Sequence, residues 1–128
     1  MDLSRTDNIT DLLQSYLDVQ TKRSQVIAGN IANADTPGFV AQELKFDDFL
    51  RDAAEKSSLP ARDMRMNSLN SQMTVVDQEA GAIGIDGNTV DPGREMAELA
   101  QAGSSFNFGA KMLQSRLRLL RTAIREGK

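Results

Sequence analysis

The sequence predicts a mainly α protein: two long terminal helices in an antiparallel, coiled-coil-like arrangement, joined by an irregular middle with room for short strands. Three observations predict it. Ile9, Leu12, Leu13, Tyr16 and Leu17 fall at i, i+3, i+4, i+7 and i+8, the spacing of an amphipathic helix. Near the other end, Met96, Leu99, Gly103, Phe106, Ala110, Leu113, Leu117, Leu120 and Ile124 alternate by three and four residues without a break, the a/d seam of a coiled coil. Between them periodicity fades, from Ser57 to Gly87, in a stretch rich in Ser, Asn, Gln, Met and Gly.

The N-terminal helix spans about residues 8–33, roughly 39 Å at 1.5 Å per residue. Asp7 or Asn8 suits its N-cap, and the apolar pattern resumes at Val26, Ile27 and Ile31 after a polar stretch from Gln20 to Gln25. Asn33 tolerates the left-handed conformation that follows many helix ends. Thr36 precedes a proline and is biased away from helical angles. Pro37-Gly38 suits the central positions of a type II turn.

Residues 34–90 form the turn, short-helix and loop region. Val40 to Lys45 alternates weakly, as a short extended segment does. Phe46, Phe49, Leu50 and Ala53 space as one or two helical turns, and Met73 to Val76 suits a short strand. A long loop is out of place in a compact domain but acceptable in an elongated assembly subunit. The run Asp86-Gly87-Asn88-Thr89-Val90-Asp91 reads as a turn leading into the next helix. It lacks the alternating ligands and closing glutamate of a calcium loop.

The C-terminal helix spans about residues 91–126, with Asp91 as N-cap, Pro92 at the first helical position and Glu95 in the first turn. Arg116, Arg118, Arg121, Arg125 and Lys128 crowd its last turns. Residues 1–20 carry four acids and one base, and residues 111–128 six bases and one acid. An antiparallel hairpin sets these clusters side by side, each exposed pair adding about 0–1 kcal/mol. Each cluster equally complements its own helix dipole. The N-terminal helix is shorter, with a polar centre, and cannot cover the whole C-terminal seam. A surplus apolar surface of this kind marks an interaction site. Subunit packing is therefore expected through Ile9, Leu13, Leu17, Met96, Leu99, Phe106, Leu113, Leu117, Leu120 and Ile124.

Composition narrows function. The 128 residues suit one domain or one elongated unit, with 40% hydrophobic and 5% aromatic content. A net charge of −3 argues against a nucleic-acid partner. Without Cys there are no disulfides or thiolate sites, and without His the commonest metal ligand and general base are missing. No catalytic carboxylate pair stands out, and the expectation is no enzyme, no cofactor and no metal. The first twenty residues hold four aspartates and never more than two adjacent apolar residues, so no secretory signal is expected. No stretch reaches transmembrane length. Composition alone implies the cytoplasm.

Val26-Ile27-Ala28 followed by Asn30-Ile31-Ala32-Asn33-Ala34-Asp35-Thr36-Pro37-Gly38-Phe39 resembles the signature of bacterial flagellar rod and hook proteins, the axial family. Asp86 to Asp91 resembles the lead-in to the C-terminal helix in small rod members, so the likeness covers about residues 26–50 and 86–125. It implies a structural subunit of the proximal rod in the basal body, crossing the periplasm and transmitting torque. It also implies self-assembly through the terminal helices, with the Asn30 to Gly38 turn fixing how the first helix leaves the wall. Implied partners are other copies, other rod proteins, the ring-to-rod adaptor and membrane ring, and the flagellar export apparatus. Such proteins leave the cytoplasm without a cleaved signal peptide. The rival from another class is a soluble helical adaptor binding its partner by helix-in-groove contacts.

Overall fold

The computed structural model describes residues 3–58, 73–79 and 81–127. Helix α1 spans Leu3–Ala32, strand β1 Gln42–Lys45, helix α2 Asp47–Ser58, strand β2 Thr74–Asp77 and helix α3 Pro92–Glu126. At 1.5 Å per residue, α1 is about 45 Å long and α3 about 52 Å. They lie antiparallel: Asn30 meets Glu95 near one end, and Tyr16 and Leu17 meet Gly109 further along. The fold is mainly helical, as the sequence predicts, with a two-stranded antiparallel sheet in the middle.

Several boundaries differ from expectation. Helix α1 begins at Leu3, which puts Asp7 and Asn8 inside the helix and not at its cap. The first glycine is Gly29 and no proline precedes Pro37, so nothing local stops the helix before Leu3. Gln20, read as part of a polar interruption, is buried. The C-terminal end of α1 closes without a left-handed residue, because no described non-glycine residue has positive φ. Instead the Asn33 N–H reaches the Gly29 and Asn30 carbonyls at 3.2 and 3.1 Å, and Asn33 Nδ2 donates to Gly29 O at 2.8 Å. The side chain thus adds a second donor at the Gly29 carbonyl, and the helix ends without a left-handed cap.

The extended segments lie where alternation places them, with β2 one residue later than read. They pair in register from Gln42↔Asp77 to Lys45↔Thr74. Helix α2 runs 12 residues, longer than one or two turns, and takes Ser57 and Ser58 from the expected loop. Of that loop, residues 59–72 and 80 lie outside the described residues, as do Asp2 and Lys128 of the charged ends. Helix α3 starts as read: Asp91 Oδ1 accepts from the Gly93 and Arg94 amides at 3.0 and 3.2 Å, and Pro92 opens the first turn.

The closest approach on α3 runs beside the apolar seam and not along its centre. Its buried residues are Glu95, Ala102 and Gly109, seven apart on one stripe. A Cβ at Gly109 would stand 2.9 Å from Tyr16 Cδ1 and 3.1 Å from Leu17 Cδ2, so the helices meet where α3 has no side chain. Small residues allow that approach, and the large ones are turned to the flanks. Met96 is 62% exposed, Leu117 49% and Ile124 67%; Phe106 is only just exposed, and Leu99, Leu113 and Leu120 are half-buried. On α1, Ile9 is exposed while Leu13 and Leu17 are half-buried. Among the described residues the buried apolar core is small: Val19, Ile27, Ala41, Leu44 and Ala102.

Candidate functional site

The two sequence motifs are read separately along the chain but fold into one structure. Past α1, the Thr36 N–H donates to Asn33 O at 3.0 Å, and the Phe39 N–H donates to Thr36 O at 3.2 Å. Gly38 holds φ at 72°, the positive value that the third position of a type II turn requires. Across from it, the Gly87 N–H donates to Gly84 O at 2.9 Å and the Gly84 N–H to Asn88 O at 2.8 Å, closing a tight loop. Gly87 is also at positive φ, 79°, and a Cβ there would sit 3.6 Å from Gly38 Cα. The two glycines therefore meet back to back.

Backbone bonds tie the segments together. The Gly38 N–H donates to Asp86 O at 3.0 Å, the Thr89 N–H to Phe39 O at 3.0 Å, and the Ala41 N–H to Thr89 Oγ1 at 2.8 Å. Asn88 does most to fix the turn. Its Nδ2 faces the carbonyls of Asn33, Ala34 and Thr36 at 2.9, 2.9 and 2.8 Å, while its Oδ1 accepts from the Val90 amide at 2.8 Å. Two amide hydrogens over three carbonyls means that one hydrogen is shared. The Asp86 carboxylate accepts from the Asn88 N–H at 3.1 Å, as an Asx turn does.

Asn30 plays a parallel role one turn earlier. Its Nδ2 donates to Gln42 O at 2.8 Å and its Oδ1 accepts from the Gln42 N–H at 2.9 Å. The side-chain amide thus pairs with β1 as a neighbouring strand would. The same Nδ2 donates to Glu95 Oε2 at 3.0 Å, joining α1, β1 and α3 at one buried point. Glu95 is 1% exposed and its Oε1 has no hydrogen-bond partner. Beside it, Glu98 accepts from Arg94 Nε at 3.0 Å and lies 3.8 Å from Arg23. That hydrogen bond pushes the Arg94 pKa up, and the Glu43 contact does the same for Lys45.

Of the expected turn residues, Asn30, Asn33, Ala34, Thr36 and Gly38 make specific contacts. Ile31 and Ala34 are half-buried, and Ala32, Asp35 and Pro37 are exposed. Asp86, Gly87, Asn88, Thr89 and Asp91 all take part in the paired loop or the helix cap. Sequence reasoning missed Glu95, placed there only in the first turn of the C-terminal helix; nothing in its spacing signals that it meets Asn30. The chemistry is that of fixing backbone, since the amides and carboxylates here hold carbonyls and N–H groups in place. Among the described residues no cluster of three or more His, Cys, Asp or Glu side chains could hold a metal ion.

The family model described as "Flagella basal body rod protein" matches residues 17–39, the second half of α1 and the turn with its Asn30 and Gly38. These matches support recognition as a flagellar basal body rod protein. Within that class, the chain is similar almost from end to end to FlgB proteins. It is 27% identical to the flagellar basal body rod protein FlgB of Salmonella typhimurium and 28% to that of Escherichia coli K12, each over 98% of this chain and 99% of the relative. It is 29% identical to FlgB of Aeromonas hydrophila over 93% of this chain and 94% of the relative. The similarity thus extends through the middle region, beyond the stretches where the motifs lie.

Proposed function

We propose that this chain is a structural subunit of the proximal rod, built into the wall by its two terminal helices and passing torque across the periplasm. The observation that carries the reading is the pairing of the two motifs. Asn88 and Asn30 hold the exit of α1 against the start of α3, so the direction of the terminal helices is set by a hydrogen-bonded joint. Large apolar side chains left exposed along α3, among them Leu117 and Ile124, supply surface for neighbours. The chain acts as a single elongated subunit whose partners are other copies, the other rod proteins, the adaptor between membrane ring and rod, and the export apparatus. It reaches the rod by export without a cleaved signal peptide. No helix among the described residues is long and apolar enough to cross a membrane.

The test is deletion of the gene in the bacterium that encodes the chain, with complementation. Electron microscopy of isolated basal bodies should show rings without a proximal rod, and swimming should be lost and restored together with the rod. Intact rods in the deletion strain would overturn the reading.

A further inference from the structure

Lys111, Arg118 and Arg125 are seven residues apart, so they form one row along α3. The row stands two residues, about 200° of helical rotation, past the heptad line through Glu95, Ala102 and Gly109 that meets α1. It therefore faces away from the hairpin, and all three side chains are exposed. Arg121, also exposed, lies about 60° to one side of the row, and Leu117 and Ile124 border Arg121 on that same side.

These cations differ from the others in their surroundings. Arg23, Arg51 and Arg94 have a carboxylate oxygen at 3.8, 2.6 and 3.0 Å. Lys111, Arg118, Arg121 and Arg125 make no ion pair with another described residue. Arg118 and Arg121 at i, i+3 and Arg121 and Arg125 at i, i+4 repel each other. The dipole of α3 accounts only for the last turn, where Arg125 stands. Asp11 and Asp18 are exposed on α1, and Asp18 is two residues from the buried Gln20, so this acidic row points away from α3. The hairpin is thus positive along one edge and negative along the other, although the chain as a whole carries −3.

We propose that the basic edge of α3 docks the free subunit on an anionic phospholipid surface. The contact goes beyond the rod reading and stands without it. Charge complementarity selects the occupant: four unpaired cations on one edge meet a sheet of negative headgroups. Shape agrees. The row runs straight for about 21 Å from Lys111 to Arg125 on a convex helix, which suits a flat surface, whereas a helical peptide docks in a groove. Three of the four cations are arginines, whose planar fork donates two hydrogen bonds to one phosphate. Leu117 and Ile124 at the margin add apolar contact at the headgroup boundary. The acidic edge of α1 turns away from the bilayer and fixes the orientation.

The test is flotation of the purified chain with vesicles of phosphatidylglycerol and phosphatidylcholine in equal parts, and with vesicles of phosphatidylcholine alone. Binding should require phosphatidylglycerol and weaken as salt rises. Each cation near such a surface is worth roughly fivefold in partitioning, so Arg118→Gln/Arg121→Gln/Arg125→Gln should bind roughly a hundredfold less. Arg118→Lys/Arg121→Lys/Arg125→Lys should keep most of the binding, and Asp11→Asn/Asp18→Asn should not weaken it. Glutamine and lysine both suit a helix, and an unchanged circular dichroism spectrum checks that the variants fold. Equal binding to both vesicles, binding to neither, or a glutamine variant that binds as tightly as the parent would overturn the proposal. Poly-glutamate or a DNA oligonucleotide bound more tightly than the vesicles at the same salt would overturn it in favour of another polyanion. Salt-sensitive self-association that the glutamine variant loses, without vesicle binding, would overturn it in favour of a second copy.

Discussion

Asn88→Ala removes a bond from four backbone groups: the Asn33 and Thr36 carbonyls keep the Thr36 and Phe39 N–H groups, while the Ala34 carbonyl and the Val90 amide must find new partners. A buried polar group left unpaired costs about 1–3 kcal/mol, and an ordinary hydrogen bond contributes about 0.5–1.5. Thr36 is exposed and Asn33 and Ala34 are half-buried, so water can take over part of the role at the three carbonyls. The expected loss is therefore about 2 kcal/mol, well short of the sum of four bonds. Asn88→Asp should be worse than alanine, since at neutral pH it sets a carboxylate oxygen against three carbonyl oxygens with no hydrogen between them. Urea unfolding followed by circular dichroism reads both, with an unchanged slope identifying a change in stability. A loss under about 0.5 kcal/mol for alanine, or an aspartate variant more stable than alanine, would refute the reasoning. Either result would mean that the turn holds its shape without Asn88.

Asn30→Ala leaves the buried Glu95 carboxylate without its donor and should cost about 2–4 kcal/mol by denaturant melt; adding Glu95→Ala should recover part of that loss, because the stranded charge is then gone. Gly103→Ala, with nothing within 4 Å of the new methyl, should stabilise by about 0.5–1 kcal/mol, whereas Gly109→Ala should destabilise by about 1 kcal/mol as its Cβ pushes Tyr16 and Leu17 away. The same melts compare the two glycines, and equal effects would contradict the close approach. Gly38→Val forces a β-branched residue to φ near 72° and should cost about 1–3 kcal/mol and lower rod assembly, read by motility and by the amount of subunit in basal bodies.

Periodicity made both long helices legible, and Asp91-Pro92 located the start of α3, because caps and amphipathic spacing are local properties of the chain. The start of α1 was misread because a capping residue such as Asn8 also sits inside a helix when nothing upstream breaks it. The contact between the two helices within the chain was not legible in the seam for a physical reason: a heptad pattern reports where large apolar residues lie, while the closest helix approach falls at Ala102 and Gly109. At the site, the glycine turn could be read from Pro37-Gly38. The Asn88 contacts reach residues 52 to 55 positions away and Asn30 reaches Glu95 at a separation of 65, distances at which spacing carries no signal.

The central claim is that the apolar flank of α3 is an assembly surface of the rod and not a core of the subunit. Leu117→Asp tests it most directly, because Leu117 is 49% exposed in the free chain. A carboxylate there stays largely hydrated in the monomer and is stripped of water only when a neighbour packs on it. The measurement is the amount of subunit in isolated basal bodies, beside the secreted amount and the melt of the purified variant. The account predicts a melt within about 0.5 kcal/mol of the parent, normal secretion and no incorporation. Full incorporation, or a collapse of the monomer's own stability, would contradict it.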